Sequence, residues 1–355
     1  MAENKSQSKK MRHGRGTLLN PKNRFDTLAY ESDTPPEFDE KKPETEFIWD
    51  KTQTILAKNS SPDLPYNFSI NPYRGCEHGC VYCYARSFHE YLGFSAGIDF
   101  ETKILVKRDA AKLLRKQFNK PSWKPALIAL SGNTDPYQPI EKKFELTREI
   151  LQVMAEYRNP VQIITKNALI SRDIDILQEL AKHHCVGVSL SISTLDKQIT
   201  DKMEPRTSRP EQRLKTIQKL AEANIPVGVM MAPMIPGWTD SEIFSILQKA
   251  KDHGAQYASY SILRLQRPLP ELFFTWMEEH FPLKVNKVKS QLKSIQGENF
   301  ANGNFEERFM GKGKLAIQMK MNFEIALKKA GLEIWKDEIN THSFRRPGQL
   351  NLFPS

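Results

Sequence analysis

The sequence predicts an α/β protein whose parallel sheet forms an open or partial barrel. Three observations predict it. Compact apolar runs alternate with longer amphipathic segments from Tyr66 to about residue 263, giving about six strand–helix units. Alternation of this kind argues for parallel strands with helices outside. The strands stop after about residue 264, and the remaining chain reads as helix. Three of the four cysteines, Cys76, Cys80 and Cys83, fall within eight residues, in a loop that the first strand delivers.

Residues 1–24 carry Lys5, Lys9, Lys10, Arg12, Arg15, Lys22 and Arg24 against one acid, Glu3, and lack periodicity. Residues 25–50 reverse the sign, with acids from Asp26 to Asp50 outnumbering Lys41 and Lys42. A basic then acidic tail over 1–44, largely disordered, is therefore expected. The barrel is expected over 45–264, a helical extension over 265–335 and a C-terminal tail over 336–355. Residues 66–71 read as the strand before the cysteine loop, and Ala85 to Leu92 as a helix after it. Ile104–Val106 is strand-like, and Asp109 is placed to cap a helix running to about Phe118. The remaining strands are read at 126–130, 160–165, 186–193, 225–232 and 256–263. Helices are read between them at 141–157, 172–183, 209–223 and 240–253. Helices at 270–281, 283–296 and 306–330 make the extension.

Composition narrows the class. At 355 residues the chain can bury a large core, and barrels of roughly 200–250 residues form one domain. No apolar run approaches the roughly 18 residues of a membrane span. The basic N-terminus has no apolar segment after it, so no secretory signal is read. Four cysteines with no evident pairing suit a reducing cytoplasm. A net charge of +10 favours nucleic acid or another anionic partner.

The loop itself runs Asn71-Pro-Tyr-Arg-Gly-Cys-Glu-His-Gly-Cys-Val-Tyr-Cys-Tyr-Ala-Arg86, with spacing Cys-x3-Cys-x2-Cys. Thiolates bind iron–sulfur clusters, zinc and soft copper. A cubane cluster normally takes four cysteines, so three leave one iron open to a substrate or cofactor. Zinc needs a closed tetrahedral set, and His78 lies inside the first Cys-x3-Cys span, where four groups have difficulty closing on one metal. A disulfide with a spare thiol, or inert core thiols, are the remaining readings. The polar, Gly-rich surroundings (Gly75, Glu77, His78, Gly79) oppose the last of these. Cys185 opens a strand and reads as a buried thiol.

The Cys-x3-Cys-x2-Cys loop with Tyr82 before its last cysteine resembles the signature of radical S-adenosylmethionine enzymes. Its wider context from Ser69 to Arg86 is similar to the spore photoproduct lyase-like, or DNA repair photolyase-like, branch. The resemblance runs from about Thr45 to about Leu332. It implies a partial (β/α)6 barrel and a 4Fe–4S cluster on Cys76, Cys80 and Cys83. It also implies S-adenosylmethionine chelated to the fourth iron and a 5′-deoxyadenosyl radical formed on one-electron reduction. An electron donor of the flavodoxin or ferredoxin type is implied by that chemistry.

The cofactor contacts are expected at the C-terminal ends of the strands, where barrels collect function. Tyr82 is expected beside the cluster. Gly132, Asn133, Thr134 and Asp135 occupy the position of the family's glycine-rich motif, which binds the amino group of S-adenosylmethionine. Lys166 is placed to pair with its carboxylate. Ser191 and Ser193 alternate with Leu190 and Ile192 along one strand, where the family makes ribose contacts. Arg206 is placed to clamp a carboxylate or to pair with Glu204. Glu77 and His78 are expected to tune the cluster. The reaction expected is reductive cleavage of S-adenosylmethionine followed by hydrogen abstraction from a substrate, with nucleic acid as a candidate. Spore photoproduct lyase returns a hydrogen through a cysteine near its active site, and Cys185 is expected at the wrong end of the barrel for that. The alternative is a non-catalytic zinc or iron–sulfur protein that binds nucleic acid.

Overall fold

The computed structural model describes residues 15–25, 43–300, 305, 307–335 and 340–348. The parts of the two expected tails at 1–14, 26–42, 336–339 and 349–355 lie outside the described residues.

Eleven strands occur among the described residues: β1 (Glu46–Trp49), β2 (Leu56–Lys58), β3 (Phe68–Ile70), β4 (Tyr73–Arg74), β5 (Lys103–Val106), β6 (Ile128–Leu130), β7 (Val161–Thr165), β8 (Val186–Ser191), β9 (Val227–Met234), β10 (Tyr257–Ile262) and β11 (Glu333–Ile334). Eight form one sheet in the order β11-β10-β9-β8-β7-β6-β3-β2. Every neighbouring pair from β3 to β11 is parallel, and only β2 is antiparallel to its neighbour. β3 and β6 to β10 are the six strands of a partial (β/α)6 barrel, left open between β2 and β11. A small second sheet, β1-β5-β4, stands beside it.

Parallel strands covered on both faces read as near-continuous apolar runs. β8 is covered on both faces, with all six of its residues buried, but Ser189 and Ser191 interrupt its apolar run. Its apolar side chains, Val188 and Leu190, join the main core with Ile163, Val229 and the helices outside. Burial of that scale is the main term that holds such a barrel together, at about 25 cal/mol per Å² of apolar surface.

The helix expected over 141–157 is two helices, Glu141–Phe144 and Leu146–Tyr157, with Glu145 left-handed at φ 52° between them. The cause is Glu141. Its buried carboxylate accepts the N–H of Thr147 at 3.0 Å and the hydroxyl of Tyr73 at 2.5 Å, so it caps the second helix from outside. Asp109 does hold the N-cap position of the helix Ala110–Phe118, but its side chain makes no capping hydrogen bond. The segment read as one helix from residue 172 begins as a tight 3₁₀ turn, Ala168–Asp173, before the helix Ile174–Ala181. The last helix starts at Lys314 rather than 306 and ends at Ala330. A helix at Lys197–Met203 and strands β1, β2, β4 and β11 are additional to the sequence reading.

The C-terminal helices divide between two cores. Met319, Phe323 and Leu327 of Lys314–Ala330 pack into the barrel core. Leu272, Phe273, Trp276 and Val288 of Leu269–His280 and Pro282–Gln296 pack instead with Cys80, Val81 and Tyr82. Among the described residues no helix is long and apolar enough to cross a membrane.

Candidate active site

The cysteine loop leaves the C-terminal end of β3. Gly75 and Gly79 take φ of 78° and 68°, the left-handed region that glycine enters without steric cost. They turn the chain on either side of Cys76. The Cys76 N–H donates to Phe100 O at 2.9 Å, and the Cys83 N–H to Cys80 O at 3.2 Å. All four cysteines are free thiols, with Cys76, Cys80 and Cys185 buried and Cys83 half-buried.

Three supports hold the loop. The first is Arg86, wholly buried beneath it. Its guanidinium donates to the carbonyls of Cys80 (3.0 Å), Gly79 (3.0 Å) and Gly97 (2.9 Å), and to Glu101 Oε1 (2.6 Å). Glu101 also accepts the N–H groups of Gly16 at 2.9 Å and Thr17 at 3.0 Å. Residues 15–25, within the expected tail, are thus an ordered strap across the loop. Contact is so close that a Cβ on Gly16 would stand 1.6 Å from Gly79 O.

The second support comes from the end of β6. Thr134 Oγ1 donates to Gly75 O at 2.7 Å, and Gln138 Oε1 accepts the Glu77 N–H at 2.8 Å. The third is the segment 203–208. Met203 O accepts the Val81 N–H, and Arg206 Nη2 pairs with Glu77 Oε1 at 3.1 Å. Glu204 does not pair with Arg206. It accepts the Tyr82 hydroxyl and pairs with the buried Arg213. Burial would raise the Glu204 carboxyl, but Arg213 and Lys166 hold it below the usual range. Burial and the Glu204 charge push the Tyr82 phenol well up, so it remains a donor.

Lys166 comes off the end of β7. Its Nζ donates to Ser191 Oγ at 2.9 Å and Ala232 O at 3.3 Å, and lies 5.8 Å from the centre of the Tyr82 ring. Ser191 and Ser193 do face the interior. Protein groups already surround them: Ser191 donates to Ala232 O, and the single Ser193 hydroxyl proton has Ala232 O and Glu204 within reach.

Asp135 is engaged on every side. Thr165 Oγ1 donates to it at 2.6 Å, and the N–H groups of Tyr137 and Lys166 at 2.9 and 2.8 Å. His78 Nδ1 stands 3.4 Å from it. Burial opposes the carboxylate, but His78, Thr165 and the Lys166 N–H outweigh it and hold Asp135 at about 2. Burial likewise opposes the charged His78, and Asp135 and Cys76 raise it to about 9. Gly132, at φ 123°, and Asn133 form the open part of this turn, held by the Asn133 N–H to Asn71 Oδ1 at 2.8 Å.

Cys185 is not part of this assembly. It precedes β8, at the opposite end of the strand from Ser191, and its thiol has the carbonyls of Arg158, His183 and Asn340 within reach of its one proton. Sequence reading also missed Arg86, Glu101, Gln138 and Arg213. A buried basic residue three positions after the last cysteine was the one available signal.

Three free thiols on one loop are a donor set that an iron–sulfur cluster can use. Among the described residues, no three or more His, Cys, Asp or Glu groups are gathered as ligands of one metal ion. Thiolates that bind different irons need not converge on a point, whereas structural zinc requires four that do. Burial also pushes the Cys80 thiol well up and, with Cys76 beside it, Cys83 to about 11.

Comparison with known proteins agrees with this geometry. The profile of the Radical SAM superfamily matches residues 70–250. An uncharacterized protein of Mycobacterium tuberculosis is 35% identical over 238 residues, 66% of this chain and 70% of that one. A radical SAM Nα-GlyT isomerase of Pseudomonas phage M6 is 24% identical over 198 residues, 55% of this chain and 39% of that one. Among solved structures, spore photoproduct lyase complexed with dinucleoside spore photoproduct has a TM-score of 0.59 at 15% identity, covering 81% of each chain. At that identity the likeness is one of fold.

Proposed function

This chain belongs to the radical SAM superfamily, and we propose that it cleaves S-adenosylmethionine reductively at a 4Fe–4S cluster held by Cys76, Cys80 and Cys83, then abstracts hydrogen from its substrate. One observation carries the reading: three unpaired thiols on a loop braced from three sides, whose Tyr82 ring faces Lys166. When bound, the cluster and S-adenosylmethionine supply the one-electron cleavage of a sulfonium and a 5′-deoxyadenosyl radical.

The chain's own residues position and select. Lys166 offers a cation to the carboxylate of S-adenosylmethionine, and Ser191 holds the Lys166 ammonium in place. Gly132 and Asn133 offer backbone at the open turn for the cofactor's amino group, with Thr134 holding that turn to the loop. Asp135, already saturated, acts by positioning Lys166 and His78. Ser193 keeps its place on the ribose-facing side of the strand. Arg206 acts through Glu77 on the loop rather than as a free carboxylate clamp. The electron comes from a donor of the flavodoxin or ferredoxin type. Cys185 brings no thiol to the mouth, so return of a hydrogen from cysteine, as in thymine-lesion repair, is not the reaction favoured.

The test is anaerobic. Reconstituted protein with S-adenosylmethionine and dithionite is expected to release 5′-deoxyadenosine, detected by mass spectrometry. Cys80→Ala is expected to lose iron and product while its far-ultraviolet circular dichroism stays unchanged. Product formation without iron, or stoichiometric zinc in the as-isolated protein, would overturn the assignment.

A further inference from the structure

Beside the barrel mouth lies an open cleft of about 620 Å³, lined by Arg24, Ser87, Phe88, Tyr91, Gln266, Arg267 and Asn299. Two of its walls come straight from the site. Ser87 and Phe88 sit on the short helix Arg86–His89 just after Cys83, and Gln266 and Arg267 come after β10. The third wall is the strap that covers the cysteine loop.

The cleft is aromatic and cationic at once. Of its lining rings Tyr91 and Phe88 are 67% and 46% exposed, and Phe25, 51% exposed, adjoins the cleft. The Phe25 and Tyr91 rings stack with centroids 4.9 Å apart, and Phe88 lies 6.5 Å from Tyr91. The Arg24 guanidinium stands 4.9 Å from the Phe25 ring centre. Among the described residues no carboxylate lines the cleft: Glu90 is buried under Arg24, 3.0 Å from its Nε. Among the described residues the Arg267 side chain has no hydrogen-bond or ion-pair partner. On the same segment, the buried Nε of Arg264 also lacks one.

Clustered exposed rings mark a contact surface rather than scattered exposure, and the faces of Tyr91 and Phe88 suit a flat occupant. A second copy of this chain is disfavoured by a net charge of +10 on each. Unpaired nucleobases fit both features. Every base offers a π-face to an aromatic ring, and every linkage offers a phosphate to an arginine.

We infer that this cleft docks single-stranded nucleic acid and leads one strand toward the cysteine loop. The inference deepens the proposed function, taking from it only that a substrate must reach the loop. Docking itself needs no cofactor and no reductant.

Fluorescence anisotropy of the reconstituted full chain with labelled oligo-dT and oligo-U of about 15 nucleotides tests it. Binding of either is expected, weakening as salt rises. The tighter of the two names DNA or RNA. Tyr91→Ala and Phe88→Ala are each expected to weaken binding about 5- to 150-fold, while Tyr91→Phe retains it, which separates stacking from misfolding. Phe244→Ala, in the cleft on the outer helices with Lys249 and Lys329, is expected to bind as wild type. No binding at low salt would overturn the inference. So would duplex bound as tightly as single strand with Tyr91→Ala unaffected, or a dimer that Tyr91→Ala dissociates. None of these outcomes touches 5′-deoxyadenosine formation, which is measured without nucleic acid.

Discussion

Arg86 Nη2 lies 2.6 Å from Glu101 Oε1, and neither side chain has any exposure. The pair sits where the cysteine loop, the strap and the carbonyls of residues 96–97 meet. Two buried charges are expensive unless their remaining hydrogen-bonding positions are filled. Here they are filled by the backbone of the loop that would carry the cluster.

Removing one partner leaves the other charged and buried, at a cost of about 3–5 kcal/mol. Glu101→Ala is therefore expected to lower the denaturation midpoint of the protein sharply and to lower iron retention after reconstitution. Glu101→Gln, which keeps acceptor and shape, is expected to lie between it and wild type. Equal stability of Glu101→Ala and wild type in urea titrations would show that the pair does not brace the loop.

Gly16 gives a separate handle on the strap. A valine there meets Gly79 O with its Cβ 1.6 Å away, so the strap must lift. Lifting breaks two N–H bonds to the Glu101 carboxylate, each worth about 1.5–3 kcal/mol. Gly16→Val is expected to expose residues 15–25 to limited proteolysis and to speed bleaching of the visible cluster absorption in air. Unchanged cleavage and bleaching would mean that the strap does not seal the loop.

These two positions mark where the sequence stopped being readable. Cysteine spacing and strand–helix alternation are local patterns, and both led to the right class and fold. The strap is polar and aperiodic, and it is held by main-chain N–H groups that any sequence supplies. Its partners lie far along the chain: Glu101 takes those N–H groups, Asp99 and Glu90 O take the Asn20 and Asn23 amides, and Glu90 pairs with Arg24. Glu204 and Arg206 show the same limit: adjacency suggested a pair, but tertiary packing gives Glu204 to Arg213 and Arg206 to Glu77. The break at Glu145 depends on the long-range contact between Glu141 and Tyr73.

Asp135 predicts a pH effect. Its carboxyl is held at about 2, below the ordinary value of 3.8, so the folded state favours its ionised form. The stability this contributes, about 2 kcal/mol, is fully present above the unfolded pKa and is lost as pH falls from about 4 toward 2. Asp135→Asn is expected to be less stable near neutrality and to show a shallower acid limb over that window. Urea midpoints measured across the range check it, and parallel curves for the two proteins would remove Asp135 from the acid response.

Lys166 predicts a binding effect without a loading effect. Its ammonium faces the Tyr82 ring and rests on Ser191 and Ala232 O; it makes no hydrogen bond to the three supports of the loop, and Arg213 as well as Lys166 holds Glu204 ionised. Lys166→Met keeps the aliphatic stem and removes the charge. Loss of a charge-assisted contact is expected to weaken S-adenosylmethionine binding about 10- to 100-fold, measured calorimetrically on the reconstituted protein, with iron content unchanged. Loss of iron together with affinity would place Lys166 in the support of the loop. Unchanged affinity would remove Lys166 from the cofactor's carboxylate site.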